Sequence, residues 1–68
     1  MKDRPRLRML RAERRLSQMD TALKTGIGIT RYWRIENGYS DPTLEERKAL
    51  AVFFSMTEAD VFPEMLAS

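Results

Sequence analysis

Hydroxyl-x-x-acid patterns punctuate the chain, among them Ser17-x-x-Asp20, Thr43-x-x-Glu46 and Thr57-x-x-Asp60. In each, the hydroxyl stands where it accepts from an otherwise unpaired first-turn N–H, and the acid three residues on can return the bond. Start signals this closely spaced leave room only for short helices. Gly26 reads as the end of the helix that Ser17 opens. Asn37-Gly38 reads as the end of a segment opening near Gly28 and running through Ile29, Trp33 and Glu36. Upstream, Leu7 and Leu10 form one apolar stripe within residues 6–15. The runs Ala51-Val52-Phe53-Phe54 and Gly26-Ile27-Gly28-Ile29 are too short and lack a partner to stand as strands. The expected fold class is therefore all-α, a compact bundle of five short helices forming one domain over residues 1–68.

A chain of 68 residues buries only about 60% of the surface its unfolded form exposes. Cys and His are both absent, so neither disulfides nor the usual zinc ligands can staple it. Tight helix packing or self-association must do so. The same absence removes cysteine nucleophiles and histidine triads. Asp41, Glu45 and Glu46 are a poor metal set, because adjacent helix residues do not face each other. No enzyme activity, metal, cofactor or small-molecule ligand is expected. The longest apolar run, Ala49 to Phe54, is six residues, against roughly 20 for a membrane span. The charged start has no apolar stretch behind it to make a secretory signal. A soluble, cytoplasmic protein without a membrane partner is expected.

The net charge of +2 is unevenly spread. Residues 1–38 hold ten basic and four acidic groups, a net of +6, and residues 39–68 hold two and six, a net of −4. Such asymmetry suits one face turned toward a polyanion and another turned away. Nine of the twelve cations are Arg, the side chain whose planar fork matches phosphates and guanine edges; an ordinary solvated helix face uses Arg as well.

The stretch from Leu16-Ser17-Gln18 through Thr25-Gly26-Ile27 to Ile35-Glu36-Asn37-Gly38 lays out a capped short helix, a glycine turn and a second short helix. That is the plan of a helix-turn-helix, whose second helix enters the major groove of DNA. Gly26 suits a turn residue with positive φ. Ala22 suits the close crossing of the two helices, and Ile27 the gap between them.

With Leu7, Leu10-Arg11, Pro42-Thr43-Leu44 and Leu50-Ala51 added, the sequence resembles the lambda-repressor-like, Cro-type (XRE) DNA-binding domain, in register from Leu7 to about Phe62. Departures from the family pattern fall at Thr21, Thr25 and Arg47, where an aliphatic is common, and at Gly28, where a Ser or Thr cap is common. At Tyr32 an inward aliphatic is usual; either Tyr32 fills that place or the helix shifts by one residue and brings Trp33 inward.

The resemblance implies a lambda-repressor-like bundle with helices 2 and 3 as the helix-turn-helix, and base contacts from Ile29, Thr30, Trp33 and Arg34. Arg34 suits bidentate reading of guanine, worth about 1–3 kcal/mol of discrimination. Ile29 suits a thymine methyl or a core place beside Ile27, and Trp33 a base or sugar surface, the core or a dimer contact. The phosphate contacts implied are Ser17 and Gln18 at one helix start, Asn37 and Tyr39 with the backbone around Gly38, and Arg31. Arg11 and Glu36 are implied to pair structurally. Arg4, Arg6, Arg8, Arg14 and Arg15 are left as a solvated basic face.

The leading expectation is a sequence-specific double-stranded DNA-binding transcriptional regulator, bacterial or phage, repressing by occupancy. A homodimer is expected on half-sites about 34–36 Å apart. Its candidate surface is the apolar C-terminal group Phe53, Phe54, Met56, Val61, Phe62, Met65 and Leu66, unless these close the core instead. The alternative is a protein-interaction module of the same fold, such as an antitoxin or a regulator-binding partner, favoured by the apolar Ile29 and Trp33.

Overall fold

A computed structural model of the chain describes residues 3–66, and of Leu66 the backbone alone. The elements are α1 (Pro5–Glu13), α2 (Gln18–Thr25), α3 (Ile29–Glu36), α4 (Leu44–Phe54), α5 (Glu58–Val61) and α6 (Pro63–Leu66). No strand occurs among the described residues.

The local signals account for the boundaries. Pro5 opens α1 at a position whose N–H would have no helical partner. Ser17 accepts from the Asp20 N–H at 2.9 Å while its own N–H donates to Asp20 Oδ2 at 3.0 Å. Thr43 and Glu46 repeat that reciprocal pair at the start of α4, and Thr57 caps α5 through the Asp60 N–H at 3.1 Å. Gly26 takes φ +76°, and the next residue, Ile27, donates back to the Ala22 carbonyl at 3.1 Å. That turn reverses the chain and drops the Ile27 side chain into the core.

The expected fifth helix is two helices. Pro63 has no N–H to continue α5 and disfavours helical backbone at the residue before it. Phe62 accordingly sits at φ −128°, ψ 65°, and α6 begins at Pro63.

The core joins Leu7 and Leu10 of α1, Ala22 and Ile27, Tyr32 and Ile35 of α3, Leu50, Ala51 and Phe54 of α4, and Val61 and Phe62. Each large side chain buried here contributes about 1.5–3 kcal/mol relative to exposure. Tyr32 is the residue of α3 that turns inward, and Trp33 stays outside, so the one-residue shift does not occur. The Tyr32 ring fills a position where the family commonly has an aliphatic.

The C-terminal dimer surface needs correction. Phe54, Val61 and Phe62 are fully buried within the chain and have no surface to offer a partner; they close the core, because the left-handed turn at Ser55 lays α5 back against α4. Phe53, Met56 and Met65 remain partly exposed. The side chain of Leu66 lies outside the described residues.

A candidate nucleic-acid interface

α3 is divided lengthwise. Tyr32, Ile35 and Glu36 face inward and are buried. Ile29 and Trp33, one turn apart, are 42% and 43% exposed, and Thr30 and Arg34, also one turn apart, are exposed beside them. The four positions read as base contacts thus share one outward face. The Trp33 ring stacks on Tyr39 with centroids 5.3 Å apart and planes 15° from parallel. Arg34 Nε donates to Ser40 Oγ at 3.3 Å, leaving both terminal nitrogens uncommitted among the described residues.

Behind this face lies a buried carboxylate. Glu36, 1% exposed, accepts from Arg11 Nε and Nη2 at 2.7 and 2.8 Å, from Gln18 Nε2 at 2.9 Å and from the Tyr32 hydroxyl at 2.8 Å. Arg11 also donates to the Leu16 carbonyl at 2.9 Å. One acid therefore ties α1, the start of α2 and the end of α3 together. Burial alone would raise its pKa, but the combined donors from Arg11, Gln18 and Tyr32 win and hold it below the ordinary carboxylate value. The bond to Glu36 raises the Arg11 pKa. Burial first, and Glu36 second, push the Tyr32 phenol up.

The residues expected to hold phosphates divide into two groups. At the start of α2, the N–H groups of Gln18 and Met19 make no bond among the described residues, and the Gln18 amide gives one N–H to Glu36, keeping its other N–H and its oxygen. The Ser17 hydroxyl is occupied as the cap. At the end of α3 the backbone is less available. The N–H groups of Asn37, Gly38, Tyr39 and Ser40 donate to the carbonyls of Trp33, Ile35, Arg34 and Arg34 at 3.0, 3.2, 2.8 and 3.2 Å. Tight closure of the helix end consumes the donors that a backbone clamp around Gly38 and Tyr39 would need. Asn37 Nδ2 also folds back to the Trp33 carbonyl at 2.9 Å. The exposed Tyr39 ring remains at this end of the face.

Arg31 is tied down within the chain. Its Nε and Nη2 donate to Glu46 at 2.9 Å each, and Nη2 reaches the Asp41 carbonyl at 2.9 Å. The first-turn acid of α4 has captured it, and that bond raises the Arg31 pKa.

The solvated basic face needs correction at Arg4, whereas Arg14 and Arg15 are exposed. Arg4 is only 6% exposed. Its backbone N–H donates to the Glu36 carbonyl at 2.8 Å. Its side chain donates to the Ile35 and Ser40 carbonyls at 2.6 and 3.1 Å, to Asp41 at 2.7 Å and to Glu64 at 3.2 Å. Arg6 donates to the Asp60 carbonyl at 2.9 Å. Arg14 donates to the Phe54 carbonyl at 3.1 Å and lies 5.0 Å over the Phe54 ring. Arg8 pairs with Asp3 at 2.7 Å on the surface. Asp41 and Glu46, weighed as metal ligands, are instead partners of Arg4 and Arg31.

Two short helices joined through a left-handed glycine, the second buried on one side and bare on the other, define a helix-turn-helix protein. A family model described as "Helix-turn-helix domain" matches residues 5–61; the chain belongs to that family, in keeping with its Cro-type resemblance. No curated protein and no solved structure gives a match. Among the described residues, no helix is long and apolar enough to cross a membrane.

Proposed function

We propose that the protein is a sequence-specific regulator of transcription that reads double-stranded DNA with the outward face of α3 and acts by occupying its site. The observation that carries this reading is the division of α3, which commits one side to the core and leaves Ile29, Thr30, Trp33 and Arg34 together on the other. Arg34, whose terminal nitrogens make no bond among the described residues, is the guanine reader. The unpaired N–H groups at the start of α2 and the remaining Gln18 N–H grip a backbone phosphate. Arg31 contributes attraction to phosphate through Nη1, which makes no bond among the described residues. A single module of this kind covers about 600–1,000 Å². The longest extent of 31 Å suits two copies side by side on half-sites about 34–36 Å apart, and we propose a homodimer acting in the cytoplasm. A second reading, a protein-interaction module, is favoured by the exposed apolar Ile29 and Trp33 and by Tyr39 beside them.

The test is a salt titration against a random double-stranded pool, with sequencing of the bound fraction. A two-fold symmetric motif is expected. Arg34→Ala should erase its guanine, and Gln18→Ala should weaken all sequences alike. Absence of binding at low salt would overturn the regulator reading in favour of the protein-interaction module.

A further inference from the structure

Resting on that DNA reading, we infer that the half-site is dominated by A·T pairs recognised through thymine 5-methyl groups by Ile29 and Trp33, with a single guanine read by Arg34. The argument begins with what the outward face of α3 lacks. Its four side chains include no Asn, Gln, Asp or Glu, so the paired bonds that identify adenine and the carboxylate that identifies cytosine are missing there, and the Thr30 hydroxyl, which both donates and accepts, does not tell one base from another. Ile29 has no polar atom, and the Trp33 indole offers one donor and no acceptor.

What such groups can distinguish in the major groove is the methyl of thymine, the one apolar substituent that the four bases present there. Ile29 and Trp33 are the residues exposed to do it. They lie four residues apart, about 6 Å along the helix, which places them over thymines one or two base pairs apart at about 3.4 Å per step.

The stack on Tyr39 makes Trp33 a preformed surface. With the two rings 5.3 Å apart and nearly parallel, the indole is held on its outer face before DNA arrives. Little side-chain freedom is then left to lose on docking. Nothing in the core requires this arrangement, since the inward place on α3 is filled by Tyr32. Arg34 Nε is steadied by Ser40 and leaves its fork for one base.

The experiment takes the selected duplex and replaces each thymine singly by deoxyuridine, which deletes the methyl and keeps the pairing. Binding is followed by anisotropy of a labelled duplex. Roughly fourfold weakening is expected at one or two thymines per half-site, the change that one buried methyl produces. Ile29→Ala and Trp33→Ala should each abolish the difference between thymine and uracil at one of those positions, while Arg34→Ala leaves it intact. Should a variant fail to fold, the uracil series on the unaltered protein still decides. If the protein binds its selected site and no uracil substitution weakens it, or if the site lacks thymines under α3, the methyl reading is overturned and the regulator reading stands. If it binds no duplex at all, both fall.

Discussion

The Tyr32 hydroxyl donates to Glu36 Oε1 at 2.8 Å, one turn along α3, so a phenol and a carboxylate are buried together on the side of the helix opposite its exposed face. Each side chain moves the other's titration away from neutrality. Glu36 is held below its ordinary value of 4.5, and so is Glu46, chiefly by Arg31. Because the unfolded chain binds these protons more readily, their contribution is complete above pH 4.5 and declines as pH falls toward the lowered folded values. Tyr32 is raised above its ordinary value of 10.0. Its contribution is complete below pH 10.0 and declines as pH rises. Urea midpoints measured across the pH range should therefore form a plateau with two falling limbs. Tyr32→Phe should cost about 1–2 kcal/mol at neutral pH and flatten the alkaline limb. An unchanged alkaline limb would show that this phenol is not its source.

Arg4 fastens four parts of the molecule that are distant in sequence. Arg4→Ala strands the Ile35 and Ser40 carbonyls and frees Asp41 and Glu64, and should cost about 2–4 kcal/mol. In a domain this small, each kcal/mol lowers Tm by roughly 4–8 °C. Arg4→Lys should recover little, since one ammonium cannot reach partners that the guanidinium meets through Nε, Nη1 and Nη2. Full recovery by lysine would mean that charge alone matters there.

Two glycines in the turn should respond oppositely. At Gly26, with φ +76°, alanine is strained, and Gly26→Ala should cost roughly 1–2 kcal/mol. Gly28 is the N-cap of α3, has φ −59° and has no side-chain cap. An added Cβ there meets nothing within 4 Å, so Gly28→Ser should gain a few tenths to about 1 kcal/mol. Thermal melts of the two variants decide the signs.

Much of this could be read in the residues. The hydroxyl-x-x-acid patterns located the starts of α2, α4 and α5, because capping is a contact between residues three apart. Gly26 marked the turn because few other residues tolerate its backbone. The Cro-type resemblance named Ile29, Thr30, Trp33 and Arg34, while the residues alone left Tyr32 and Trp33 equally able to turn inward; packing against the core settled that Tyr32 does. What stayed hidden depends on contacts between distant positions. Neighbouring residues give no sign that Arg4 meets Asp41 and Glu64, that Arg31 meets Glu46, or that Arg47 meets Glu58 at 3.3 Å. For the same reason a run of basic residues at the start of the chain reads as a solvated face. The C-terminal aromatics were ambiguous because apolar residues suit a core and an interface alike; the turn at Ser55, which lays α5 against α4, decided Phe54 and Phe62 for the core.

That decision is testable. Phe62→Ala should cost about 3–5 kcal/mol, the usual effect of emptying a buried aromatic site. The folded fraction should keep its sedimentation behaviour, because Phe62 is fully enclosed by its own chain. Loss of association at unchanged stability would instead place the ring between copies.

The bonds of Arg4 reach 31, 36, 37 and 60 residues along the chain, whereas the helical caps close over three. Contacts of such long separation carry the largest loop-closure cost and form late, after the short helices have nucleated. Interactions absent from the transition state govern how fast the native molecule opens. Arg4 thus acts as a latch in time: its loss should leave the refolding rate nearly unchanged and accelerate unfolding, shortening the life of each folded molecule.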